Sequence, residues 1–236
     1  MSKPLICVKG LRKEYPMGEE TVVALKSIDL EIEKGQIVCI FGTSGSGKST
    51  LLNQLAGLER PTAGSVTIGG VPVDRLSENA LAVFRQKHLG FVFQSYNLLP
   101  TMTAAENVAL PLMFRGVPKA KRQKMAEEML ERVGLADRKD HYPSQMSGGQ
   151  QQRVGIARAF IARPAVVYAD EPTGNLDSKT TVEVMEMIRD FARTFRQTII
   201  MVSHDAEMAA YADRILTLKD GEIIADEQRG TEYEGV

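Results

Sequence analysis

The sequence predicts an α/β domain with three parts: a core built on a parallel sheet, an antiparallel β portion at the N-terminal end, and an inserted helical lobe. Three observations lead there. Short strand-like stretches broken by turns ("VVALKSIDLEIEKG", "IVCIF", "SVTIGGV") fill residues 3 to about 75. Helical patterns run from about 77 to 88 and then dominate from 104 to 163. From 165 onwards apolar strands alternate with helices: "AVVYADEP", a helix from about 178 to 194, "QTIIMVSHD", a short helix and "RILTLKDGEI". That alternation is the rhythm of a parallel sheet covered by helices.

Each element has its own signal. In "SIDLEI" the alternation puts Ile28, Leu30 and Ile32 on one face and charge on the other, which predicts a half-buried antiparallel strand. "IVCIF" is apolar on both faces, so it is expected to be a central, covered strand. "KAKRQKMAEEMLERVGL" is amphipathic, with Met125, Met129, Leu130 and Val133 at helical spacing, and core packing is the reading for its methionines. No internal repeat, low-complexity segment or Pro/Gly-rich linker interrupts the chain. The expected organisation is one domain over 1–236. Residues about 1–94 and 161–227 form the β portion and α/β core, about 95–160 the helical lobe, and 228–236 a polar tail.

The chain has 236 residues, of which 43% are hydrophobic and 25% charged, the balance of a soluble globular protein with a sizeable core. A formal net charge of -1 argues against a dominant nucleic-acid-binding surface. Cys7 and Cys39 sit inside apolar runs and read as buried free thiols, consistent with a reducing compartment. The N-terminal apolar stretch is too short for a signal peptide, and no run reaches the ~18 apolar residues of a spanning helix. The expectation is a chain that does not itself enter a membrane.

"GTSGSGKST" matches G-x-x-x-x-G-K-[ST] between the buried "IVCIF" and the helix-like "STLLNQLAGL". That strand-loop-helix context makes it the phosphate loop of a P-loop NTPase core. Gly42, Thr43, Ser44, Gly45, Ser46 and Gly47 are expected to curl so that backbone N–H groups converge on phosphate oxygens at a helix N-terminus. Lys48 brings a mobile charge for the β- and γ-phosphates, Ser49 a hydroxyl for Mg²⁺, and Thr50, the last residue of the motif, is a further candidate to contact the nucleotide. "AVVYADE" ends a buried strand in Asp170, a candidate to hold Mg²⁺, and Glu171, a candidate to orient an attacking water. "IIMVSHD" delivers His204 to a strand tip in the same way, as a sensor of the γ-phosphate. Gln94 after "LGFVF" is a candidate for the metal or the water.

"MSGGQ" supplies a second anion cradle: Ser147, Gly148, Gly149 and Gln150 stand directly in front of a helical stretch. The order of motifs, from GxxxxGKS through Gln94, SGGQ, the DE strand and "NLD" to His204, resembles the ATPase subunit of ABC transporters from about residue 3 to 227. Met146 stands where that family more often has leucine. The resemblance implies that the SGGQ residues face ATP bound to a second ATPase subunit, so that two head-to-tail subunits, most simply two copies of this chain, sandwich two ATP molecules. It also implies that Tyr15 stacks on adenine, that Gln94 links Mg²⁺ to the helical lobe, that Asp177 crosses the dimer seam, and that Glu171 and His204 serve hydrolysis. Within the family, "FVFQSYNLLPTMTAAENVALPL" and "ADEPTGNLDS" are most similar to subunits of lipoprotein-release and macrolide-efflux systems. The implied partner is a separate membrane permease docked near "SYNLLPTMTAAENVALPLMFRGV", which places the chain at the cytoplasmic face of a membrane. A soluble ABC ATPase acting on nucleic acid or ribosomes is the alternative. Such relatives carry coiled-coil insertions or two ATPase units per chain, and neither is present in this sequence.

Overall fold

A computed structural model describes residues 3–18 and 20–229. In chain order the first elements are β1 (Ile6–Met17), β2 (Glu20–Ile32), β3 (Ile37–Phe41), α1 (Lys48–Leu55), β4 (Ala63–Ile68), β5 (Val71–Pro72), α2 (Glu78–His88) and β6 (Leu89–Phe93). Then come α3 (Ala104–Phe114), α4 (Lys119–Arg132), α5 (Gly148–Ile161), β7 (Val166–Asp170) and α6 (Ser178–Phe195). The last are β8 (Thr198–Ser203), α7 (Ala206–Ala209), β9 (Arg214–Lys219) and β10 (Glu222–Gln228). The described chain forms two compact units, residues 3–82 with 198–229, and residues 83–197.

In the first unit β2, β1, β4 and β5 make an antiparallel sheet in that order. Ile28, Leu30 and Ile32 are all buried on the β2 face that the alternation assigns to the core. β3 lies between β8 and β9, parallel to both, and Ile37 to Ile40 are at most 1% exposed, as its two-sided apolarity requires. β10 then returns antiparallel to β9, where the strand-helix rhythm alone gives no such reversal. The cause is local: Asp220 and Gly221 both have positive φ, the two-residue hairpin geometry that an Asp-Gly pair favours. Arg214, 9% exposed, grips both carboxylate oxygens of Asp226 at 2.7 and 2.6 Å and donates to the Glu31 carbonyl at 2.6 Å, which ties β9 and β10 to β2. These bonds hold the Asp226 carboxyl below its ordinary value.

In the second unit β6 and β7 pair in parallel, and Phe91 stacks on the fully buried Tyr168. Helices α3, α4 and α5 pack on one another. Met129, Leu130 and Val133 are buried in that packing, as the amphipathic pattern predicts, while Met125 is only half-buried. Most of "AAENVALPL" is core as well; Leu99, Met113 and Phe114 are exposed. Thr103 caps α3 in a reciprocal box with Glu106. Asn107, fully buried within this apolar helix, accepts from the Leu99 N–H and shares its two amide hydrogens among the carbonyls of Leu99, Met102 and Thr103. It stands in for the secondary structure that residues 98–103 lack. Cys39 is buried, and burial pushes its thiol up to about 12; Cys7 is half-buried, more open than its apolar context predicts. Of the polar tail read from residue 228 onwards, 230–236 lie outside the described residues.

Candidate functional site

In the first unit β3 delivers its chain into the loop 42–47, and α1 starts at Lys48. Gly47 carries φ +102°, and a Cβ there would meet the Ala24 carbonyl oxygen at 2.7 Å, so only glycine permits this turn. Lys48 is 7% exposed, and its ammonium donates to the Thr43 carbonyl at 2.8 Å. A carbonyl of its own loop thus stations the charge at the loop mouth. Gly42 and Ser46 are buried, while Thr43, Ser44 and Gly45 are exposed. The Ser46 Oγ is buried without a hydrogen-bond partner, an unmet polar group that a phosphate oxygen would satisfy. A cavity of about 480 Å³ opens here, lined by Gly45, Gly47, Lys48, Ser49 and Thr50 from the loop and helix, by Val22 to Ala24 and Lys26 of β2, and by the Asp220–Gly221 hairpin. The composition fits a nucleoside phosphate, with loop backbone donors and Lys48 beside the apolar Val22 to Ala24 and a second cation, Lys26, on β2.

Tyr15 is not part of that lining. Its hydroxyl donates to Glu59 at 2.5 Å, and the Lys13 ammonium lies 4.9 Å from its ring centre. Burial, then the Glu59 hydrogen bond, push the Tyr15 phenol above its ordinary value. Burial also pushes Glu59 up, but donors from Tyr15 and Asn53 with the charge of Lys13 outweigh it and hold the carboxyl low. At the end of β8, Ser203 accepts from the Asp205 N–H at 3.0 Å and Asp205 caps α7, which leaves His204 exposed at the turn.

The second unit gathers the remaining candidates. Asp170 ends β7, and Glu171 follows with φ +42°, a left-handed conformation uncommon for a non-glycine residue. The Gly174 N–H closes this turn onto the Glu171 carbonyl at 3.1 Å. Gln94, half-buried after β6, accepts on its carbonyl from Asn175 Nδ2 at 3.1 Å, and its side chain packs on Gly174. Asp177 caps α6: its carboxylate accepts from the Thr180 N–H at 2.9 Å and the Thr180 hydroxyl at 2.8 Å. The backbone bond, then the hydroxyl, hold this exposed carboxyl low.

Ser147 caps α5 in a reciprocal box: its Oγ accepts from the Gln150 N–H at 3.3 Å, and the Gln150 side chain accepts from the Ser147 N–H at 3.0 Å. Because Ser147 Oγ acts as an acceptor in the box, its proton remains available to donate outward. Ser147 is exposed at this helix start and Met146 beside it is buried. The structure also places around these motifs four residues that the sequence did not single out. They are Tyr96, Gln152 (bonded to the Pro172 carbonyl), Arg158 and Thr180. Their signal is spatial, since they lie outside the short motifs they support.

The family model described as ABC transporter matches residues 25–174, more than half of the chain. The chain belongs to the ABC transporter family. It is an ABC-type ATPase cassette, and the cassette fold matches solved ones closely. Over 95% of this chain and 99% of the other, it superposes with a TM-score of 0.89 and 43% identity on the ATP-binding cassette MJ0796 in a dimeric post-hydrolysis state bound to ADP and Pi. Among curated proteins it is 50% identical to an uncharacterized ABC transporter ATP-binding protein of Methanocaldococcus jannaschii, over 93% of this chain and 98% of that one. It is 49% identical, over 96% of its own length, to the macrolide export ATP-binding/permease protein MacB of Rhodopseudomonas palustris. The cassette spans 34% of the length of that MacB relative.

Proposed function

We propose that this chain binds and hydrolyses ATP as half of a head-to-tail homodimer, and that the cycle drives a membrane permease. The observation that carries the proposal is the presence of two anion cradles in one chain. One opens on a nucleotide-sized cavity, and the other is a capped helix start with an exposed serine. In the proposed dimer each ATP lies between Lys48 of one copy and the Ser147–Gln150 cradle of the other. Lys48 leaves the Thr43 carbonyl for the β- and γ-phosphates, and the Ser46 hydroxyl and loop N–H groups meet phosphate oxygens. Glu171 orients the water, and His204 contacts the γ-phosphate. Asp177 reaches across the seam, and the free face of Tyr15 stacks on adenine. Ser49, Gln94 and Asp170 supply the hydroxyl, amide and carboxylate oxygens that suit Mg²⁺, which when bound neutralises charge on the β- and γ-phosphates. ADP and Pi leave, and the Ser147 cradle loses the anion it was holding.

Support for transport comes from similarity. The MacB relatives are named as macrolide export ATP-binding/permease proteins, and no helix among the described residues is long and apolar enough to cross a membrane. The load we infer is a permease of the export or lipoprotein-release kind, seated on the lobe at about 95–160 near the exposed Leu99, Met113 and Phe114, which holds the cassette at the cytoplasmic face. Glu171→Gln is the test of hydrolysis. That variant should bind ATP and dimerise with it yet scarcely release phosphate, and near-normal turnover would remove Glu171 from the mechanism. Gentle solubilisation of membranes with a tagged chain should recover a polytopic protein in stoichiometric amount. Recovery only with ribosomes or nucleic acid would contradict the transport assignment.

A further inference from the structure

Between the Gln94 loop and α5 lies a set of contacts that neither motif explains. Tyr96 and Asn97 are consecutive residues with positive φ, 61° and 47°, a pair that needs support from outside the loop. Arg158, two helical turns and more beyond the Ser147 cradle, supplies it. Its guanidinium donates to the Asn97 carbonyl at 2.6 Å and to the Tyr96 carbonyl at 2.8 Å, a fork closed on adjacent carbonyls. Burial pushes the Arg158 pKa down, in keeping with a side chain drawn under the loop. The phenol of Tyr96 then reaches the start of the same helix. A Cβ on Gly148 would lie 2.7 Å from the Tyr96 hydroxyl oxygen and 3.6 Å from Cζ, so the ring occupies the space that any larger residue at 148 needs. Gln94, two positions before Tyr96, is held in turn by Asn175 and Gly174.

We propose that Arg158 and Tyr96 are positioning residues that join the Gln94 loop to the Ser147–Gly148 cradle as one body. Arg158 fixes the loop backbone against α5, and Tyr96 sets the loop tip against the cradle floor. A shift at Gln94 therefore moves the cradle, and an anion on the cradle resists displacement of Gln94. The inference rests on the ATPase reading given above, in which Gln94 and the cradle of one chain serve two different ATP molecules.

A double-mutant cycle in the full chain tests it, with melting temperature, kcat and KM for ATP measured for each variant. Gly148→Ala presses a methyl into the Tyr96 hydroxyl; Tyr96→Phe removes the oxygen and leaves an ordinary contact at Cζ. The kcat lost through Gly148→Ala should shrink by about threefold or more in the Tyr96→Phe background, the size of coupling expected of touching residues. Equal losses in both backgrounds would overturn the proposal, because Gly148 would then matter only for what its backbone approaches. Arg158→Met keeps the stem and removes the fork. It should lower kcat on the order of tenfold or more, as small misplacements of reacting groups do, with KM changed less than about twofold. Unchanged kcat in a folded Arg158→Met chain would also overturn it, and if that variant fails to fold the Tyr96–Gly148 cycle decides alone. A wild-type chain that releases no phosphate under any condition would sink the ATPase reading and this inference together. Wild-type turnover with no coupling sinks the inference only.

Discussion

Ser147 has a structural task and a proposed chemical one, and their magnitudes differ enough to separate them. Ser147→Ala removes the acceptor for the Gln150 N–H, a bond of 3.3 Å, while the reciprocal bond from the Ser147 N–H to the Gln150 side chain can persist. Loss of an N-cap costs about 1 kcal/mol, which for a chain of this size lowers Tm by roughly 2–4 °C. Loss of one hydrogen-bond donor to a transferring phosphoryl group costs on the order of a hundredfold in kcat, about 2.7 kcal/mol. The chemical effect therefore exceeds the structural one. Melting by circular dichroism and steady-state phosphate release, run on the same preparation, measure both. The expected pattern is a small fall in Tm with turnover reduced far more. Wild-type turnover in a chain that melts a few degrees early would refute the reasoning and leave Ser147 as a helix cap alone. Ser147→Thr, which keeps cap and donor, should retain most of both.

Two further outcomes follow from the packing. Asn107→Ala leaves the Leu99 N–H and the Met102 carbonyl without their partner, while the carbonyls of Leu99 and Thr103 keep the backbone N–H groups of residues 102 and 107. Denaturant unfolding should show a loss of about 2–4 kcal/mol, since unsatisfied buried groups cost roughly 1–3 kcal/mol each and water reaches some of them. Asp226, held low by Arg214, contributes stability that is fully present above its ordinary carboxylate pKa of about 4 and is lost as pH falls through its lower folded value. Asp226→Asn should therefore be less stable than wild type at neutral pH, with the two curves converging in acid; a constant gap down to the lowest pH would contradict that assignment.

The legible parts of this protein are those written in contiguous residues. "GTSGSGKST" specifies its own turn because the glycine at 47 and the lysine after it act within one loop, and "IVCIF" declares a covered strand through its own composition. "SGGQ" likewise carries both halves of its capping box in four residues. Other features were not legible because their partners lie far apart in the chain. Arg158 meets Tyr96 across 62 positions, and Asn175 meets Gln94 across 81. A single Arg in "IARAF" gives no sign of which carbonyls it will find. Asn107 hides in an apolar helix for the same reason: its partners belong to a loop whose path the pattern of hydrophobic residues does not fix. The left-handed backbone at Glu171 is equally silent, since it is imposed by the turn that follows β7 and not by a glycine.

The central claim is that the two cradles of one chain serve two different ATP molecules, and complementation measures it most directly. Glu171→Gln disables the hydrolytic half of a chain and leaves its cradle intact; Ser147→Arg blocks the cradle and leaves the hydrolytic half intact. Each variant alone should release little phosphate. Mixed, they should regain turnover, because one of the two sites in a mixed dimer combines an intact Lys48–Glu171 half with an intact SGGQ. A mixture no more active than the sum of its components would contradict the claim, since cradles that served their own chain could not repair one another.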